Sequence, residues 1–320
     1  MLKQTNTIRF FALFAAAIIT LSSCNKWKDY FPHDGGGGKK KTISEIVSDN
    51  YDYKLLKVAL KHAGLYETLD QAGTFTVFAP DNKAFADAGF PDAAAIKAVA
   101  PDALKGILLY HVLGSVVKSG DIPVADNTAV TTVGGGDIYV SSRDGKVSVN
   151  GASVVKADIK ASNGVIHAIN KVLLPPSSNI VELAVANPNL SYLVAAVLRA
   201  SQGTTDVAAL LSGAGPFTVF APTNDAFIAA GFATIDAINA ANPDDLTPIL
   251  AYHVIGARVF SANLVDGAEV PTVNGTNVKI DLSSGAAVKG NSNASASNVV
   301  AADVIATNGV VHVVDQVLLP

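Results

Sequence analysis

Cysteine, methionine and tryptophan each occur once in the 320 residues. A lone cysteine cannot close an intramolecular disulfide, and it excludes a cysteine-rich zinc or iron–sulfur framework. Charge is scarce too: 16% of residues, with 23 Lys and Arg against 27 Asp and Glu, a net charge of -4. That balance leaves no basic footprint and excludes nucleic acid as a partner. Aromatic residues make up 7%, which argues against an aromatic-lined catalytic or sugar-binding cleft. The abundant class is aliphatic. At 49% hydrophobic with mean hydropathy +0.35, most of the chain is too apolar for disorder, and its length suits two domains.

The only long apolar run is at the start. Lys3 and Arg9 form a positive flank, and residues 10–21 (FFALFAAAIITL) have the length of a signal-peptide core, too short to span a bilayer. Leu21, Ser22, Ser23 and Cys24 follow, and resemble a bacterial lipoprotein box. That resemblance implies cleavage before Cys24, lipid on its thiol and amine, and attachment to a membrane through the anchor. Several acyl chains hold where one is marginal. Asn25, by resemblance to lipoprotein sorting rules, points to the outer membrane of a Gram-negative cell envelope. We therefore expect a leader over 1–23 and a lipidated, flexible tether over 24–41, rich in Gly and Lys.

The rest is one unit written twice. Residues 75–85 (FTVFAPDNKAF) and 217–227 (FTVFAPTNDAF) agree at nine of eleven positions. Tyr110-His111-Val112 returns as Tyr252-His253-Val254, and 163–175 (NGVIHAINKVLLP) as 308–320 (NGVVHVVDQVLLP). A period this long marks tandem domains, here 42–175 and 177–320. The short Pro-Pro-Ser-Ser linker predicts domains held close together.

Within the unit, Leu55, Leu56, Ala59, Leu60 and Ala63 recur at helical spacing, as do Leu193, Val194, Val197 and Leu198. The FTVF runs read as strands, and Asp81 and Thr223 as N-caps of short helices that end at Gly89 and Gly231. Leu104, Ile107, Leu108 and His111 define a second helical stripe, matched by Leu246, Ile249, Leu250 and His253. Gly106 and Pro248 interrupt it, which predicts a break with Thr247 as cap and Pro248 opening a new helix. Residues 112–117 and 254–259 read as strands. Asn163-Gly164 and Asn308-Gly309 read as hairpin turns before strands on which Val165, His167 and Ile169 share a face. Helices come first and strands after, an α+β order.

These three blocks, in both copies and in order, resemble the fasciclin domain over nearly all of the chain beyond residue 41. The resemblance implies two tandem domains, each a β-wedge of two sheets with a layer of short helices. It also implies an extracytoplasmic adhesion or matrix-binding role. In animal members the Tyr-His region is linked to integrin binding, which maps onto Tyr110, His111, Tyr252 and His253. The chain carries no Arg-Gly-Asp.

Catalytic and metal patterns are weak. His111, His167, His253 and His312 supply two His per copy with no H-x-x-x-H spacing, so we expect core histidines, and no metal or cofactor. No G-x-S-x-G turn exists for a hydrolase nucleophile. Asp158 and Asp303 precede the closing strands and read either as partners of a motif His or as turn residues. Glycines 134–136 read as a hairpin, and 35–38 as linker.

The expectation is a non-enzymatic, surface-anchored adhesion module whose ligand is a protein or a cell-surface glycan. An enzyme acting on extracellular polysaccharide and a purely structural envelope protein are the alternatives. Because a helix turns about 100° per residue, an inward His111 or His253 puts Tyr110 or Tyr252 on a different side, where it either faces outward and contacts the ligand or packs into the wedge beneath neighbouring loops.

Overall fold

A computed structural model describes residues 40–320. The expected leader, Cys24 and the expected tether up to residue 39 lie outside the described residues. In the first domain the chain forms α1 (Ile43–Asp49), α2 (Lys54–His62), β1 (Phe75–Pro80), α3 (Asn82–Asp87), α4 (Ala93–Lys97) and α5 (Pro101–Leu109). Strands β2 (Val112–Leu113), β3 (Thr128–Thr131), β4 (Asp137–Arg143), β5 (Lys146–Val149), β6 (Ala152–Ala161) and β7 (Gly164–Ile169) complete it.

The second domain repeats this order with one added helix, its third, before the first strand. Its helical half holds α6 (Ile180–Ala186), α7 (Ser191–Ala200), α8 (Val207–Ser212), β8 (Phe217–Pro222), α9 (Asn224–Ala229), α10 (Ile235–Ala240) and α11 (Pro243–Tyr252). Its strand half holds β9 (Val254–Ile255), β10 (Glu269–Pro271), β11 (Asn277–Asp281), β12 (Ala287–Lys289), β13 (Ser297–Ala306) and β14 (Gly309–Val314).

Each sheet is a continuous ladder of seven strands, ordered β2-β1-β7-β6-β5-β4-β3 and β10-β11-β12-β13-β14-β8-β9. The two sheets expected per domain are thus the two halves of one ladder. The ten-residue β6 and β13 belong to both halves. Each carries register shifts and a bulge at Asp158 or Asp303, where φ is 59° or 62°. A bulge adds a residue and bends its strand, and here it folds the ladder into a wedge.

The parallel pair β1/β7 lies inside the ladder, next to β2 at its edge, and is buried on both faces, as parallel strands usually are. Val77, Ala79, Ile166 and Ala168 face the helices, packing with Leu56, Leu60, Phe85 and Leu108. Phe78 and Ile169 face the other way, into the wedge against Ile138, Val140 and Val149. The period-two alternation of a strand sorts the two cores.

The N-caps form as expected: Asp81 and Thr223 accept from Ala84 N–H and Ala226 N–H. Three local expectations are corrected. Helix α11 runs unbroken through Pro248, although Pro248 has no N–H to give the Asp244 carbonyl. Burial of Leu246 and Leu250 in one core keeps it a single helix, and the prolines at N1 are Pro101 and Pro243. Strands β2 and β9 stop after two residues. Beyond them Thr76 Oγ1 donates to Ser115 O (2.7 Å) and accepts from Val117 N–H (2.8 Å), so a side chain replaces the ladder. Finally, Leu198 is exposed, its inward place on α7 being taken by Ala196 and Ala200.

The domains touch through polar groups. Lys171 Nζ meets Asp303 Oδ2 at 2.7 Å. Asn263 Nδ2 donates to Asp126 Oδ1 (2.7 Å) and Ser141 Oγ (2.9 Å), and Arg143 Nη1 donates to Asn263 O (3.1 Å). Asp303 is buried, and Lys171 with the Ser261 amide and hydroxyl holds its carboxyl below the ordinary range against the opposing effect of burial. Truncating one partner of a buried charge leaves the other uncompensated. Because Lys171 is itself part solvated, Lys171→Met is expected to cost about 1–3 kcal/mol. It should also quicken protease cleavage at the linker, residues 175–178. Unchanged stability and cleavage would show that the pair does not fasten the domains.

Candidate functional site

The Tyr-His corner forms where α5 runs into β2, and again where α11 runs into β9. His111 Nδ1 lies 2.8 Å from Ile107 O, so that nitrogen carries the proton, and Nε2 accepts from Leu173 N–H at 2.9 Å. His253 repeats this with Ile249 O (2.8 Å) and Leu318 N–H (2.8 Å). The corner and the closing V-L-L-P block, about sixty residues apart, are therefore joined by one imidazole. Both rings are fully enclosed, and desolvation pulls each pKa down to about 4, opposed by the backbone carbonyl.

The second pair is bonded through the opposite tautomer. His167 Nε2 donates to Val117 O (2.9 Å) while Nδ1 accepts from Asp158 N–H (3.3 Å). His312 does the same with Val259 O and Asp303 N–H. Each ring stacks on the motif Phe, Phe78 or Phe220, at 5.5 and 5.7 Å. Burial lowers the His312 pKa. So Asp158 and Asp303 do bond the motif His, but through backbone N–H; their carboxylates hold Ser119 and Ser261.

Of the two placements open to the tyrosines, the outward, ligand-facing one is overturned. Tyr110 is 1% exposed and Tyr252 0%. The ring enters the wedge, with Tyr110 Oη donating to Asp137 O (2.7 Å) and accepting from Asn150 Nδ2 (3.1 Å). Tyr252 Oη donates to Asn277 O (2.7 Å) and accepts from Asn291 N–H (3.0 Å). Both sides of the corner are interior: the His lies on the helix side and the Tyr inside the wedge. Neither residue of either pair offers a surface to a ligand.

The sequence marks Asn163 and Asn308 only as turn residues. Asn163 Oδ1 accepts from Ile43 N–H (2.9 Å), and its Nδ2 donates to Leu69 O (2.7 Å) and Gln71 O (2.8 Å). Asn308 repeats all three bonds with Ile180, Leu211 and Gly213. The glycine that follows has a different reason from turn geometry: a Cβ on Gly164 or Gly309 would strike the carbonyl oxygen of Phe75 or Phe217 in the parallel neighbour strand. The identity of the Asn-Gly pair in both copies was the available signal.

All four motif histidines have both ring nitrogens engaged by backbone, which leaves none for a metal or for proton transfer. Among the described residues, no group of three or more His, Cys, Asp or Glu is placed to hold a metal.

Fold and corner together define a class: a tandem α+β protein whose sequence motifs are the hydrogen-bonding joints of a helix-backed β-wedge. The fasciclin domain model matches residues 51–175 and 189–320, and the chain belongs to that family. It is 30% identical over 259 residues to transforming growth factor-beta-induced protein ig-h3 of Sus scrofa, spanning 79% of this chain and 35% of that protein. Protein sll1483 of Synechocystis is 40% identical over 138 residues, 42% of this chain and 74% of that protein. A solved FAS1 domain pair from the insect cell adhesion molecule fasciclin I aligns with 83% of this chain and 96% of its own, at 19% identity and a TM-score of 0.41. The chain thus spans about a third of the length of the ig-h3 relative. Fasciclin domains are generally involved in cell adhesion and extracellular binding.

Proposed function

We propose that this chain is a surface-anchored, non-enzymatic adhesion protein that binds a macromolecule outside the cell. The observation that carries the reading is the pair of fasciclin domains in one chain. Duplication suits weak attachment, because a second binding event within one chain gains from effective concentration. The engaged histidines support the non-enzymatic part. With the Tyr-His corners buried, contact falls to surfaces outside the motifs. The lipoprotein-like box at Cys24 supports an anchor in the cell envelope, on the outer membrane of a Gram-negative cell.

Two measurements test this. Cys24→Ala is expected to move the protein from the detergent phase to the aqueous phase or leave it unprocessed, and intact-mass analysis should find lipid on Cys24 in the unaltered chain. An unmodified Cys24 would defeat the anchor. Cells displaying the chain should adhere to glycan- or protein-coated surfaces more than cells lacking it; equal adhesion on every coating would defeat the adhesive role.

A further inference from the structure

One of the positions at which the two copies differ lies between the domains. Thr218 Oγ1 grips Ala257 O (2.6 Å) and the Val259 N–H (2.8 Å), as Thr76 grips the matching residues of the first copy. The residue held between them is Val116 in the first domain, 42% exposed, and Arg258 in the second, 8% exposed. A fasciclin domain is therefore built without this arginine.

Arg258 reaches across to the first domain. Its guanidinium carbon lies 4.2 Å from the centre of the Tyr139 ring, and Nη1 donates to Gly309 O at 2.7 Å. Among the described residues no carboxylate is within ion-pair distance of it. Desolvation pulls the guanidinium below its ordinary value. A charge this withdrawn from water is costly unless paired. Beside it a cleft of about 460 Å³ opens between Asn127 and Tyr139 of the first domain and Pro216, Arg258 and Thr307 of the second.

We propose that this cleft is a carboxylate-binding site, which takes the uronate group of an acidic polysaccharide onto Arg258. Arginine presents a planar fork that matches a carboxylate, and its place over the Tyr139 ring together with the Gly309 carbonyl holds it in position in advance. Arg258 is the one cation lining the cleft, and the other polar side chains, Asn127, Tyr139 and Thr307, are neutral. That set fits a singly charged group flanked by hydroxyls, as on a uronic sugar ring, better than a phosphate or a run of acidic side chains. The choice of a polysaccharide rests on the adhesive reading; the carboxylate rests on the cleft alone.

The test is a calorimetric titration of the full chain in detergent with an oligogalacturonate, its carboxyl-reduced neutral counterpart, and a penta-glutamate peptide. The oligogalacturonate is expected to bind at least tenfold tighter than either of the others. Arg258→Met should weaken it tenfold or more, and Arg258→Lys should recover only part. Ala257→Glu sets a carboxylate at the exposed rim and should weaken binding as much with no change in the unfolding midpoint. If Arg258→Met does not fold, Ala257→Glu decides. Absence of binding, equal or tighter binding of the peptide or the neutral sugar, or unchanged affinity in the folded variants would each overturn the proposal. Adhesion that fails while the titration succeeds would overturn the adhesive reading instead.

Discussion

Acidification from pH 7 to pH 4 is expected to cost each domain about 3 kcal/mol through one histidine. His111 and His253 have folded pKa values of about 4, against an ordinary 6.5. Their folded-state pKa is depressed, so the unfolded chain binds protons more readily between those values. The stability they contribute is fully present above pH 6.5 and drains away as pH falls through the window to about 4. His312, also lowered, acts in the same direction in the second domain. Urea midpoints measured across this range should fall steeply. His111→Gln should flatten the pH dependence of the first domain while leaving that of the second. Midpoints that do not move between pH 6.5 and 4 would mean that the imidazoles are reached by water.

Asn163→Ala is expected to cost about 3–5 kcal/mol, enough to unfold a marginally stable domain. It would strand the Ile43 N–H and the Leu69 and Gln71 carbonyls, which it serves from a site 3% exposed. Asn163→Asp keeps the acceptor but cannot donate to either carbonyl, so it should be no better. Asn308→Ala should do the same to the second domain through Ile180, Leu211 and Gly213. Chemical denaturation measures the loss, and hydrogen exchange at the Ile43 amide should rise with it. A loss under about 1 kcal/mol would show that water substitutes for the carboxamide.

The tandem architecture, the helix-then-strand order and the histidines' place in the interior were legible in the residues. Duplication exposes a unit directly, and a His among Leu, Ile and Val at i, i+3, i+4, i+7 declares its face by periodicity alone. The caps at Asp81 and Thr223 were legible for the same reason: they act on amides three residues away.

Long-range bonds decided the rest. Periodicity places Tyr110 about 100° from His111, but whether that direction is solvent depends on what packs there. The wedge packs there, because the bulge at Asp158 bends β6. The short strand β2 depends on the Thr76 hydroxyl 39 residues away, and the duty of Asn163 on partners up to 120 residues away. Arg258 sits where the first copy has valine, and its meaning depends on Tyr139 of the other domain. The sequence by itself determined what a residue does to its neighbours within one or two turns of helix or one strand. Only the tertiary structure decided which faces meet, because those contacts join segments whose separation along the chain carries no periodic signal.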